Sequence, residues 1–466
     1  MTPRKSRRLA LVLPSVLVLA AAIAPAAHAI ELKDAVQTAV STNPEISTAA
    51  QDKQAIEFER KQAQGLWLPR ADIEASAGVD RLDNPTRRLL GLNTRTLKPV
   101  QIGITGQEVL WDSGYRRSEL DRQAARSDGA ATRVEERAEF VALDVVHDYL
   151  NYLLEQRLVA IGMDNVAFHT QMVGDLREGV SQGSISIADQ QQAEERLHAS
   201  RARVTEAQED LLDAAISFTS RTGMAMDSAA LPPPIVSKLP PSQSDAVGLA
   251  RTNNPRVRIA QADLDAALAL VRQAKSALGP KISLEGNARD GNDVDGFEHR
   301  TTEVQAKIVM RWNIFSGGIN QANIQEQVRR SSEERYKVLQ VTREVEQDVD
   351  QAWNRRVQQT ILVEQLDTQA RVSGDLVNSY REQFKVGRRS LLDVLDGQNT
   401  RYNAQVLAET ARFAELFAEY KILASTGTLL ESLGVDRPSD SNATARKTFN
   451  VPETPPAETM DRHHVD

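Results

Sequence analysis

The chain has 466 residues, 41% hydrophobic and 26% charged, with 56 Lys and Arg against 64 Asp and Glu, a formal net charge of -8 and no cysteine. An acidic balance leaves no electrostatic footprint for nucleic acid. The absence of cysteine excludes disulfides, thiol chemistry and cysteine lipidation, so the chain must be held by packing or assembly. Read from the N-terminus, Arg4, Lys5, Arg7 and Arg8 precede an apolar run over residues 9–27 that ends in Ala27-His28-Ala29. That pattern predicts a secretory signal peptide over 1–29, with the mature chain starting near Ile30 and its charge falling to -12 as four basic residues leave. A retained membrane helix is the alternative, but Pro14 and Pro25 interrupt the run.

A helix is predicted over 32–66, then two alternating segments. In the first, Ile73, Ala75, Ala77 and Val79 alternate with Asp72, Glu74, Ser76 and Asp80; in the second, Val100, Ile102 and Ile104 alternate with Gln101, Gly103, Thr105 and Gln107. From Ser113 to about Val180 there is no proline, and Val141, Val145, Leu150, Leu154, Leu158 and Ile161 recur at helical spacing. Such a helix would reach on the order of 100 Å. After a turn at Gly183 comes a second helix of about 40 residues, closing at Thr222-Gly223. Residues 227–243, with Leu231-Pro232-Pro233-Pro234 and Pro240-Pro241, read as a linker running extended over the surface.

The order then begins again. Asp34-Ala35-Val36, Asn43-Pro44, Gln62-Ala63 and Pro69 recur 211 residues later as Asp245-Ala246-Val247, Asn254-Pro255, Gln273-Ala274 and Pro280. Val100-Gln101, Gly183, Ser186, Asp189 and Thr222-Gly223 recur 204 residues later as Val304-Gln305, Gly387, Ser390, Asp393 and Thr426-Gly427. Residues 30–226 and 244–433 are therefore predicted to fold to one unit, twice. The second unit is predicted to have a helix over 244–278, strands around Ile282, Leu284, Ala288 and Val304, Ala306, Ile308, Met310, Trp312, and a long helix over 317–386. From Gly434 to Asp466 the chain is polar and Pro-rich and is predicted to be disordered.

Beyond the N-terminal run, no apolar stretch approaches the roughly 20 residues a membrane helix needs. A bilayer could be crossed only by strands, and the alternation fits either a soluble sheet wetted on one side or a barrel with a watery lumen. Enzyme chemistry finds no foothold: the seven histidines form no metal spacing, and there is no glycine-rich phosphate loop and no G-x-S-x-G turn. No cofactor is expected. Residues 290–296, Asp-Gly-Asn-Asp-Val-Asp-Gly, miss the ligand spacing of a calcium loop and read as a surface turn.

Helix, strand, loop, strand and long helical hairpin, performed twice behind a signal peptide, resemble the TolC family of outer-membrane channels for efflux and type I secretion. The most specific segment is Phe384-Lys385-Val386-Gly387-Arg388-Arg389-Ser390-Leu391-Leu392-Asp393-Val394-Leu395-Asp396, continued by Tyr402-Asn403-Ala404; Leu110-Trp111-Asp112-Ser113-Gly114 and Ile314-Phe315-Ser316-Gly317-Gly318 resemble the family's strand-to-helix junctions. The resemblance implies an α+β fold in a trimeric channel: four strands per protomer in a shared 12-stranded transmembrane β-barrel, continuous with a long periplasmic α-helical barrel. It also implies an outer-membrane location, a homotrimer, a periplasmic adaptor protein and an inner-membrane ABC exporter or proton-driven pump. Four strands alone cannot close a barrel, which agrees with the need for copies.

By the same resemblance, Asp393 and Asp396, three apart on one helix, would ring the periplasmic entrance with six carboxylates that raise one another's pKa and attract cations. Asp393, like Asp189, also has a local reason to exist, because Ser390 and Ser186 stand three residues before them as in a capping box. Asp396 has none, its counterpart being Gln192, so the alternative for it is a solvated helix face. Asp189, Phe384 and Arg389 match residues that tether neighbouring hairpins, although Phe384 stands where a tyrosine hydroxyl would be expected and Ala188 where a threonine can occur. The turns, Gly183, Ser184 and Ser186 with Gly387, Arg388 and Ser390, are the expected adaptor-docking tips. A duct of type I protein secretion is the preferred reading, with multidrug efflux the alternative. A soluble periplasmic helical scaffold is the rival from a different class.

Overall fold

A computed structural model describes residues 29–451. Residues 1–28, all but the last residue of the expected signal peptide over 1–29, and residues 452–466 lie outside the described residues. The chain runs α1 (Leu32–Thr42), α2 (Pro44–Gly65), β1 (Arg70–Ala77), α3 (Pro85–Leu89), β2 (Val100–Trp111), α4 (Tyr115–Ser181), α5 (Ile187–Thr222), then α6 (Gln243–Asn253), α7 (Pro255–Ser276), β3 (Lys281–Asn292), β4 (Arg300–Arg311), α8 (Ile319–Lys385), α9 (Leu391–Thr426) and α10 (Leu429–Leu433). The paired helices repeat to the residue: α1 and α6 have 11 residues each, α2 and α7 have 22, α4 and α8 have 67, α5 and α9 have 36.

The helix expected over 32–66 is two helices, and so is its copy. Asn43 and Asn254 each end one helix and cap the next, their side chains accepting from the backbone N–H of Glu45 and Arg256, while Pro44 and Pro255 occupy the first turn where no N–H is needed. At the far ends of α5 and α9, Gly223 and Gly427 take φ of 72° and 71°. A Cβ on Gly427 would lie 2.9 Å from the Asn253 carbonyl, so that stop needs glycine twice over.

The four strands form one antiparallel sheet in the order β1-β2-β3-β4, and the β2–β3 pairing joins the two halves. Its register carries each face straight across the sheet. Ile73, Ile104, Ala288 and Val304 stand in one row; Glu74, Gly103, Arg289 and Glu303 stand in the next row on the other face. The apolar face is bare, with Ile73 75%, Val304 81% and Ile308 70% exposed. The polar face is laced by ion pairs, Arg289 with Glu303 and Arg311 with Glu285 at 2.7 Å. Among the described residues no helix is long and apolar enough to cross a membrane.

The helices repeat the order of the strands to which they are joined: α2 packs on α4, α4 on α7, α7 on α8. The main core lies where α1, α4, α5, α9 and α10 meet, around Val36, Val145, Tyr149, Phe218, Tyr420, Leu423 and Leu429. The Tyr149 hydroxyl lies 2.7 and 2.6 Å from the carbonyl oxygens of Ile30 and Ala230, its one proton shared between them, and so ties the segment before α1 to the segment after α5.

The expected disorder from Gly434 does not hold for residues 434–451, which form a strap along α4. Asp128, 2% exposed, accepts from the backbone N–H of Ala445 and Arg446 at 2.6 and 3.2 Å and from Arg446 Nε at 2.7 Å. Glu135 pairs with Arg437 at 3.1 Å, Lys53 with Asp440 at 3.2 Å, and Arg60 donates to the Thr448 carbonyl. A buried carboxylate needs partners, and the strap supplies them from some 300 residues away, a distance at which local composition carries no information.

Candidate channel entrance

The two hairpins end in matched turns. Gly183 and Gly387, at φ of 73° and 69°, reverse the chain, and the N–H groups of Ser184 and Arg388 donate back to the carbonyls of Gly179 and Gln383, each at 2.9 Å. Ser186 starts α5, its hydroxyl accepting from the Asp189 N–H at 3.1 Å and donating to that carboxylate at 2.7 Å. Ser390 starts α9 with the complete capping box: Asp393 N–H to Ser390 Oγ, and Ser390 N–H to Asp393 Oδ2, both at 3.3 Å. Gly183, Ser184, Ser186, Gly387, Arg388 and Ser390 are all exposed, and so are the apolar side chains of Ile187, Val386 and Leu392 beside them.

Within one chain Asp393 is held below the usual carboxylate range, first by the Ser390 hydroxyl and then by the Ser390 N–H and the Arg389 guanidinium 3.7 Å away. Asp396 has no such local partner and meets Arg196 of α5 across the hairpins at 3.9 Å. Sequence reasoning missed Arg196; its signal is an arginine on the first hairpin at the height of the one acid that no cap explains.

Within the chain, the three residues matched to tethers do not meet. Arg389 lies 4.3 Å over the Tyr380 ring, donates from Nε to Gln383 Oε1 at 3.3 Å and pairs with Asp393, all in its own hairpin. Asp189 serves Ser186. Phe384 packs instead on an apolar cluster, Met172, Val173 and Leu176 of α4 with Leu391, Val394 and Leu395 of α9, that joins the two hairpins near their tips. Here a phenyl ring contributes burial where a hydroxyl would have contributed a hydrogen bond.

Among the described residues no group of acids, histidines or cysteines is placed to hold a metal. Asp290, near the end of β3, is taken by Arg300 at 2.8 Å, and Asp295, in the turn that follows, by Arg289 at 2.6 Å, so residues 290–296 are the end of a strand and an ion-paired turn.

A sheet with one bare apolar face and one ion-paired face, joined to two helices of 67 residues, is the architecture of a channel-forming protein rather than of an enzyme core. A profile described as outer membrane efflux protein matches residues 35–224 and 246–434, one copy for each half. The chain belongs to this family, the TolC-type outer-membrane channels, and as such is a passive channel in the outer membrane, not an enzyme. It is 23% identical over 330 residues, 70% of this chain and 72% of the other, to the outer membrane efflux protein BepC of Brucella suis biovar 1 (strain 1330). Its fold is similar to that of CusC, with a TM-score of 0.74 at 16% identity, covering 87% of this chain and 92% of that one. It is equally similar to the outer-membrane channel OprN, with a TM-score of 0.74 at 19% identity over 85% and 90%.

Proposed function

We propose that three copies of this chain close into a passive exit duct that receives substrate from a periplasmic adaptor and an inner-membrane pump, in a type I protein secretion system. The observation that carries the closure is that both arrays are open in the same sense. The sheet ends at β1 and β4, the helical array at α2 and α8, so one rotation of a second copy brings β1 to β4 and α2 to α8 at once. Three copies give twelve strands, enough to enclose a lumen, whereas four cannot. The bare row of Ile73, Ile104 and Val304 then faces lipid and the ion-paired row faces water.

In that assembly Asp393 and Asp396 ring the entrance, Asp189, Phe384 and Arg389 lie where neighbouring hairpins meet, and the six turn residues present a docking tip for the adaptor. Small-molecule efflux is the second reading, favoured because BepC is named an efflux protein. One experiment separates them. A single cysteine at Arg388 in this cysteine-free chain, carrying a photo-crosslinker in whole cells, is expected to capture the adaptor of an ABC exporter. Capture of a proton-driven pump's adaptor moves the protein to drug efflux, and capture of neither removes the docking role of that turn. A protein that fractionates without detergent would restore the soluble-scaffold reading.

A further inference from the structure

The strap over residues 434–451 ends near the foot of the sheet, and there a cavity of about 430 Å³ lies between it, α4 and α7. Its cations are Arg117, Arg272, Arg446 and Lys447, and its carboxylates are Asp121 and Asp265. Asp121 is shared by Arg117 at 3.2 Å and Arg272 at 3.3 Å, while Arg446 is held by Asp265 and, outside the lining, by Asp128. Lys447 is exposed, and among the described residues no carboxylate pairs with it. Even with Asp128 counted, cations outnumber carboxylates by one, in a chain whose formal net charge is -8. Two guanidinium groups on one carboxylate leave N–H donors free for a further anion.

The height of the cavity is set by the sheet. Arg117 is the third residue of α4, and Arg272 stands one turn before the end of α7. Short connections join these ends to β2 and β3, where the apolar face closes with the row Trp111, Ile282 and Met310. The cavity thus starts on the order of 10 Å from the edge of the apolar band, at the depth of phospholipid headgroups. Trp67 and Phe449, 37% and 48% exposed, meet edge to face at 6.2 Å beside it, with the Arg116 guanidinium 4.4 Å from the Trp67 ring. Half-exposed rings of this kind suit the boundary between hydrocarbon and water.

The cavity is also on the correct side. On α7 it is lined by Asp265, Leu268 and Arg272, whereas Gln273, Ala274 and Ala277 line a second cavity together with Val109 and Lys281 of the sheet's polar face. At 3.6 residues per turn the two sets lie on opposite sides of the helix. The strap therefore runs on the side of the apolar face, which in the duct is the outside.

We infer that this cavity holds the headgroup phosphate of an anionic phospholipid from the inner leaflet of the outer membrane. Arg117, Arg272 and Lys447 bind the phosphate, and the acyl chains pass Phe449 and Trp67 to reach the apolar face. A zwitterionic headgroup is disfavoured, because its own cation would meet Lys447 and the arginines. The strap then clasps the chain to the membrane surface, in a protein with no cysteine to carry a lipid of its own. The inference rests on the duct reading, which sets the sheet in the bilayer.

The test is native mass spectrometry of the detergent-solubilised protein mixed with equal amounts of phosphatidylglycerol and phosphatidylcholine of the same acyl chains. Wild type is expected to retain phosphatidylglycerol about tenfold over phosphatidylcholine. Arg272→Gln with Lys447→Gln changes two exposed side chains, leaves Asp121 with Arg117, and is expected to melt like wild type and to lose the preference. The same loss of charge at exposed Arg157 and Arg201, further down the helices, is expected to keep it. A preference that is absent from wild type, survives the first pair of changes or falls equally with the second overturns the site. Inorganic phosphate at equal ionic strength is expected to displace nothing; displacement would make the occupant a free anion and overturn the lipid. Protein that needs no detergent and retains neither lipid overturns the duct reading itself, a separate and visible outcome.

Discussion

The helices α4 and α8 have the same length and leave their strands at the same kind of junction, yet their surroundings differ. α4 is flanked by α2 on one side and α7 on the other, and its buried positions run from Arg116 to Leu176. α8 has α7 on one side and no counterpart of α2 on the other; Tyr336, Leu339, Ile361 and Val372 are exposed along it. A duplicated unit thus folds to the same geometry with very different burial. Helical form here is set by propensity, caps and the hairpin partner, while burial is set by position in the array. The half with the unfinished surface is where, in the proposed trimer, a second copy would add the missing contacts.

The comparison breaks most sharply at Asp128, which α8 matches with Ser332. Asp128→Ala leaves two backbone N–H groups without their acceptor and the Arg446 guanidinium with Asp265 alone, and is expected to cost about 3–5 kcal/mol, mostly from the two unsatisfied donors. Ser332→Ala is expected to cost under about 0.5 kcal/mol. Thermal melts compare the two, and hydrogen exchange over residues 435–448 is expected to rise only in the first. An Asp128→Ala protein with a protected strap would show that the strap docks for other reasons.

Eleven residues further on, Glu139 accepts from the N–H groups of Leu429 and Leu430 at 3.2 and 3.4 Å, where α8 carries an exposed Arg343. Burial pushes the Glu139 carboxyl up to about 7 against a reference of 4.5. The unfolded chain therefore gives up this proton before the folded chain does. The group's contribution is full below pH 4.5, declines as pH rises toward 7 and is lost above it, a swing of about 3 kcal/mol. Glu139→Gln is expected to flatten that decline, seen as a smaller fall in melting temperature between pH 5 and pH 8 than in wild type. An equal fall in both proteins would place the pH dependence elsewhere.

How much of this was legible in the sequence follows the range of the interaction. The hairpin turns, the serine caps and the glycine stops are decided by neighbours within four residues, and they were readable. The alternation of Ile73 or Val304 was readable too, and with it the two-faced sheet. The break at Asn43-Pro44 is written in the sequence as a cap followed by a first-turn proline, the signature of a new helix start. What could not be read were pairings across hundreds of residues: Asp128 with Arg446, Asn165 with Gln398, Asp396 with Arg196. Two of the three tethers carried over by resemblance, Asp189 and Arg389, find partners in their own hairpins, because a local serine donor or glutamine acceptor competes with any more distant partner.

Matched apolar positions sharpen the comparison further. Leu153 on α4 is 6% exposed and belongs to the main core; its counterpart on α8, Val357, is 40% exposed. Leu153→Ala is expected to cost about 2.5 kcal/mol of fold stability through lost burial and a cavity. Val357→Ala is expected to leave the melting of the dissociated chain unchanged and to weaken the association of copies instead. Size-exclusion chromatography with light scattering in detergent, alongside thermal melts, reads both. If Val357→Ala destabilised the isolated chain as much as Leu153→Ala, exposure along α8 would not mark an interface.

The smallest difference lies at the tips, where the two halves are most alike. Ser186 and Ser390 both receive the N–H of the residue three ahead, but only Ser390 also sends its own N–H to that residue's carboxylate. A helix start has four N–H groups to satisfy, and the box at Ser390 satisfies one more around its turn than the half-box at Ser186 does. Each serine-to-alanine change is expected to cost about 1 kcal/mol, with Ser390→Ala the larger by a few tenths. Global melting will barely register either, because the tips open locally before the root core does. Amide exchange in the first turn of α5 and of α9 will register them, and it is expected to speed up more after the loss of Ser390. Equal acceleration at both tips would mean that the second bond of the box contributes nothing there, and that the asymmetry between the halves ends before the entrance.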